Sequence, residues 1–198
     1  MATDREQLRQ LIPNVGLPEE SIERLRGWPP DPLVDLAVDG AEPWWRRKHC
    51  VVALAGRVPP GRAGDLLACA LDAGASTSVR GPLLDVLSVP GAAHAGELLT
   101  WLRAQSGVEQ PYGLDLSILR ARGALGDLSA ADALTELAAS PWWHRAPVGR
   151  DGLDGLIDRH GLAAVLAELG ASSAEELLTN GSTAYTQGGA AVAVDAGV

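Results

Sequence analysis

The chain has 198 residues, of which 46% are hydrophobic, enough for one domain with a real core and far from a disordered composition. Its 16 Lys and Arg stand against 25 Asp and Glu, for a formal net charge of −9. The one short basic run, Arg46-Arg47-Lys48-His49, is no broad stripe for neutralising duplex phosphates, so nucleic acid is disfavoured and a basic or polar protein partner fits better.

In chain order, Thr3 or Asp4 can cap a first short helix carrying Leu8, Leu11 and Ile12, stopped by Pro13 and Gly16. Pro18-Glu19-Glu20 opens a second, with Ile22 and Leu25 inward. Trp28-Pro29-Pro30-Asp31-Pro32 reads as a stiff connector, and Leu33, Leu36 and Ala37 as a brief amphipathic turn ending at Gly40. Residues 1–40 are thus expected to form an N-terminal helical cap over the exposed end of a larger core.

From residue 41 the apolar spacing turns regular. It predicts helices over 42–57, 60–74, 76–88, 91–106, 112–125, 128–139, 141–159 and 161–169, then a short turn over 172–178. Leu66, Leu67, Ala70 and Leu71 show the i, i+3, i+4 pattern, and clean strand alternation is absent. Paired, these helices make about four hairpins with a period of roughly 31–38 residues, the length of helical repeats. The glycines read as helix ends, where a left-handed cap favours them. Residues 179–198 lack Lys and Arg, contain Asp195 as the single acid, and read as a flexible C-terminal tail. Ala190-Ala191-Val192-Ala193-Val194 could instead dock as a strand or be recognised as a peptide.

A near-repeat stands out. Pro43-Trp44-Trp45-Arg46-Arg47 opens one predicted helix, and Pro141-Trp142-Trp143-His144-Arg145 opens another about a hundred residues later. Adjacent helical positions point about 100° apart, so one indole of each pair is expected to be at least partly exposed. Exposed Trp beside Arg is a common binding anchor, so Trp44, Trp45, Arg46, Arg47, Trp142, Trp143 and Arg145 form the candidate binding set. Core and rim packing of the indoles is the competing reading. Trp101, within Leu98-Leu99-Thr100-Trp101-Leu102, reads as core.

The run Ile118-Leu119-Arg120-Ala121-Arg122-Gly123-Ala124-Leu125-Gly126-Asp127-Leu128-Ser129-Ala130-Ala131-Asp132-Ala133-Leu134-Thr135-Glu136-Leu137-Ala138-Ala139 resembles a HEAT-type repeat of the bilin-lyase-like subclass. It has an Arg, Ala-Leu-Gly, a Gly-Asp turn, Ala-x-x-Ala-Leu and a final Leu. Val79-Arg80-Gly81-Pro82-Leu83-Leu84 and Cys50-Val51-Val52-Ala53-Leu54-Ala55-Gly56 are similar to the first-helix part of that pattern. The similarity covers about 42–170 and is degenerate, because the Arg is displaced or missing in some units, and Gly81-Pro82 and Ala146-Pro147 are expected to interrupt first helices. It implies an all-α solenoid of about four HEAT-like hairpins over 41–178, and implies no particular activity.

Catalytic and metal signatures do not emerge. The histidines at 49, 94, 144 and 160 are scattered, Cys-x-x-Cys and His-x-x-x-His are absent, and no cofactor is implied. His49 and Cys50, as helical neighbours, diverge instead of forming a nucleophile–base contact. Cys50 and Cys69 read as buried free thiols. The charged start Met1 to Glu6 lacks a signal core and no apolar run nears the ~20 residues of a membrane span, so a cytoplasmic location is expected. Lys48 is the single lysine, an Arg bias that suggests a GC-rich bacterial genome.

The function expected is a non-catalytic scaffold whose concave face grips a protein or peptide. Two alternatives stand beside it. The alkylpurine DNA glycosylases are similar in using Trp on a HEAT-like scaffold, although they imply a basic face. Gly188-Gly189 resembles the cleavage site of a ribosomal peptide precursor, which would make the tail the processed segment.

Overall fold

A computed structural model describes residues 4–12, 16, 19–111 and 113–171. The turn expected over 172–178, the tail from 179, and the stops and caps expected at Thr3, Pro13 and Pro18 lie outside the described residues. Among those described, the structure is all-α with no strand. It has eleven α-helices: α1 (Asp4–Leu11), α2 (Glu19–Arg26), α3 (Pro30–Val38), α4 (Trp44–Ala53), α5 (Ala63–Leu71), α6 (Thr77–Leu87), α7 (Ala95–Ala104), α8 (Leu114–Ala124), α9 (Ala131–Ala138), α10 (Ala146–His160) and α11 (Leu162–Glu168). Single 3-10 turns, Pro60–Arg62 and Leu128–Ala130, lead into α5 and α9. Among the described residues no helix is long and apolar enough to cross a membrane.

The helices stack. α4, α6, α8 and α10 pack successively on one another, while α3, α5, α7 and α9 each lie against the helix that follows. Two neighbouring pairs repeat at the level of single hydrogen bonds. Arg47 Nε donates to Ala37 O at 2.8 Å, and Arg80 Nε donates to Ala70 O at 2.9 Å. The Asp39 carboxylate accepts from Ala41 N–H at 2.8 Å, and Asp72 from Gly74 N–H at 2.8 Å. In each pair the arginine of the second helix ties off the end of the first, where carbonyls have no helical partner. The matched set begins with α3, whose residues fall inside the segment read from sequence as the cap.

A single apolar cluster runs from Leu8 through Leu33, Leu54, Leu66 and Leu84 to Leu125, and a smaller one joins Ala130, Ala131, Leu134, Leu156 and Val165. Behind the second cluster lies a feature that the sequence reading missed. Gly149, Gly152 and Gly155 form an i, i+3, i+6 stripe along α10. A Cβ on Gly149 would lie 2.2 Å from Ala138 N and 2.5 Å from Leu134 O, and one on Gly155 would lie 2.9 Å from Ala124 Cα. Gly123 in α8 completes the seam, since its Cβ would lie 2.4 Å from Gly152 O. The glycines therefore do more than end helices: these let α10 press backbone to backbone against α8 and α9. Gly126, by contrast, is a helix-end glycine at φ +81°, in the left-handed region.

Three further expectations are corrected. Trp28 to Pro32 is not wholly a stiff connector, because α3 starts at Pro30, where a proline in the first turn costs no hydrogen bond. Gly81-Pro82 does not interrupt α6, which runs through both. Packing on α4, α5 and α8 holds the helix despite the lost bond, and Gly81 lets Ser117 of α8 approach. Helix α10 starts at Ala146 rather than 141, with Pro147 in its first turn.

Candidate functional site

The two Pro-Trp-Trp elements have different surroundings. Pro43 immediately precedes α4, so Trp44 and Trp45 form its first turn. Their rings meet edge to face at 6.1 Å, with Trp44 39% exposed and Trp45 packed against the main core. Arg46 Nη1 pairs with Glu42 at 2.6 Å. Arg47 is buried, with Nη2 also donating to Cys69 Sγ at 3.0 Å. Neither arginine is a free cation on a rim.

Glu42 is the hub of this region. Its nearly buried carboxylate takes Arg9 Nη2 at 2.5 Å and Arg5 Nη2 at 3.1 Å besides Arg46. Arg5 also pairs with Asp39, so α1 is bound to the α3–α4 connection. Burial opposes ionisation, but the guanidinium groups of Arg9, Arg46 and Arg5 outweigh it and hold the pKa down to about 2. Asp127, fully buried in the α8–α9 turn, is a parallel case. Burial again opposes ionisation, but bonds from Arg103, Arg122 (Nε at 2.7 Å) and Ser129 lower its pKa to about 2.

The second element lies outside any helix, in the α9–α10 connection. Trp142 is 60% exposed and Trp143 85%, so here both indoles are exposed, one more than helix geometry requires. His144 lies beside both, 5.6 Å from the Trp143 ring and 6.4 Å from that of Trp142. Trp142 and Arg145 line an open groove together with Leu119, Glu136, Leu137 and Pro141. Trp44 is not among the groove's lining residues. The groove's α8 and α9 walls were invisible to sequence reasoning, because Leu119 and Glu136 read as ordinary helix positions.

Elsewhere, Trp101 is half-buried against the core with the Arg80 guanidinium 5.6 Å from its ring centroid. A second, more apolar hollow lies between the loops after α4 and α6, lined by Val58, Pro60, Val86, Val89 and His94. His94 Nε2 is 3.0 Å from Leu87 O, and the sequence names no binding residue in this hollow. Cys50 is buried and Cys69 half-buried rather than fully so; both are free thiols. Burial, reinforced by the nearby Glu42 charge, pushes the Cys50 thiol up to about 12, the wrong direction for a nucleophile. Burial and the Lys48 charge push His49 down, away from the cationic form. Among the described residues no three His, Cys, Asp or Glu side chains are arranged to hold a metal ion.

What the fold defines is a stacked all-α protein with an aromatic connector exposed on its surface. Family models, curated proteins and solved structures yield no match to this chain.

Proposed function

We propose that this chain is a non-catalytic binding scaffold, an α-solenoid of HEAT-like hairpins that docks a protein or peptide partner on the α9–α10 connection. The observation that carries the reading is the outward placement of Trp142 and Trp143 beside a groove that Arg145 helps to line. Two large indoles left in water lose roughly 1.5–3 kcal/mol each of burial energy, a cost that a partner covering them would recover. The repeated Arg47–Ala37 and Arg80–Ala70 bonds support the repeat assignment. The separation of Trp44 from the Trp142 groove favours a docking surface over a single aromatic catalytic cleft.

The test is affinity capture from a lysate of the producing organism, comparing the wild type with the Trp142→Ala/Trp143→Ala variant. The expected result is a specific protein held by the wild type and lost by a folded variant. Identical captured sets, or nothing above background, would overturn the proposal.

A further inference from the structure

The charges of this molecule are distributed unevenly between its two ends. Among the described residues the ion pairs join side chains between Arg5 and Asp127, and none involves a residue of α9, α10 or α11. Most arginines of the first eight helices and their turns are paired within the chain: on Glu23, on Glu42, on Asp31, Asp35 and Asp65, on Asp85, and on Asp127. The last three helices leave their charges facing water. Asp132, Glu136, Asp151, Asp154, Asp158 and Glu168 are all exposed, against Arg150 and Arg159 on these helices and Arg145 on the connection between α9 and α10. Acids there outnumber bases two to one, in a chain whose net charge is already −9.

The exposed indoles sit at this same end. Guanidinium stacking on an indole already occurs within the fold, at Arg80 over Trp101. Among the described residues no guanidinium or ammonium stacks on Trp142 or Trp143, whose ring neighbour is His144 at 6.4 and 5.6 Å. Glu136, in the same groove as Trp142, has no ion-pair partner among them.

We infer that the α9–α10 connection takes a basic peptide segment of a partner protein, with Arg or Lys side chains laid on Trp142 and Trp143 and paired to Glu136. This rests on the docking reading above and adds the chemistry of the occupant. An indole face is the strongest cation–π acceptor among side chains, and the carboxylate supplies the charge-assisted bond that orients the cation. Surplus acids on α9–α11 steer a basic segment toward the groove and repel an acidic one or a phosphate backbone. Arg145, which lines the same groove, disfavours a cation placed beside itself.

The experiment is selection of a random twelve-residue peptide display library on the full chain. Binders are then measured against the wild type, Trp142→Ala/Trp143→Ala and Glu136→Arg, each verified as folded by circular dichroism. The expected binders are rich in Arg and Lys, weaken about tenfold or more on loss of the indoles and on Glu136→Arg, and weaken roughly threefold or more when salt rises from about 0.05 to 0.5 M. Binders that need the indoles but are neutral or acidic would overturn this inference and leave the docking surface standing. Basic binders indifferent to Glu136→Arg would likewise overturn the pairing. Binders indifferent to the indoles, or a selection that enriches none, would overturn both.

Discussion

The same Pro-Trp-Trp tripeptide is a structural element at 43–45 and a surface feature at 141–143. At the first, Pro43 directly precedes α4, and the following turn is taken up by internal work: Trp45 on the core, Arg46 on Glu42, Arg47 on the Ala37 carbonyl. At the second, Pro147 follows closely. A helix begun at Trp142 would carry that proline in its interior, losing a bond and meeting the Trp143 carbonyl. The helix starts at Ala146 instead, and the indoles remain in a connector that packs on little. Pro82 sits at an equally interior position of α6 and is accommodated because neighbouring helices surround it. The difference teaches that the tripeptide itself decides nothing; the next proline and the packing around it do.

The largest expected effect lies at the anchor behind the exposed connector. Gly149→Ala, which in an open helix would gain up to about 1 kcal/mol, should cost about 3 kcal/mol here. Its Cβ would meet the Ala138 and Leu134 backbones, and overpacking of that kind reaches or exceeds this size. Gly64→Ala in α5, where nothing lies near, is the control and should be neutral or stabilising. Urea denaturation of the two variants measures both; equal behaviour would mean that α10 is not held by close backbone contact.

Next comes the contrast between arginines. Arg47→Met removes a buried charged donor from Ala37 O and Cys69 Sγ and should cost about 2 kcal/mol. Arg145→Met, exposed, should stay within about 0.5 kcal/mol. A comparable loss in both would erase the distinction between the two regions.

A smaller effect is the acid sensitivity of the first region. Glu42 has a folded pKa of about 2, against an ordinary value of 4.5. A depressed carboxylate stabilises the fold above its unfolded pKa, and that contribution is lost as the pH falls from about 4.5 toward 2. Glu42→Gln should therefore lower stability at pH 7 by about 1–2 kcal/mol and flatten the decline across that window. An unchanged slope in urea midpoints at pH 5, 4 and 3 would contradict the Arg5–Arg9–Arg46 clamp. Asp127, with the same cause and a similar pKa, keeps the wild-type decline from vanishing altogether in the variant.

The regular helices were legible because apolar spacing reports a buried face directly. Leu66, Leu67 and Ala70 are buried as their spacing demands, and Leu134 and Leu137 likewise. Helix α3 was obscured by its prolines, which serve equally well in a stiff connector or a first turn. The buried arginines were illegible for another reason: a charge reads as surface until a carbonyl ten residues earlier is known to need a donor. The glycine stripe of α10 was hidden because glycine reads as a breaker, and its value appears only when a second backbone occupies the missing side chain's place. Of the candidate site, the Trp residues were legible by type alone. Their fates were not, since those depend on where each helix begins.

The most direct measurement is a side-by-side urea denaturation of Trp45→Ala and Trp142→Ala/Trp143→Ala. Removing the half-buried Trp45 should cost about 2–3 kcal/mol, while the double substitution in the connector should change stability by no more than about 0.5 kcal/mol. A connector variant destabilised as much as Trp45→Ala would show that its indoles serve the fold, and would contradict the account of that surface as a place for a partner.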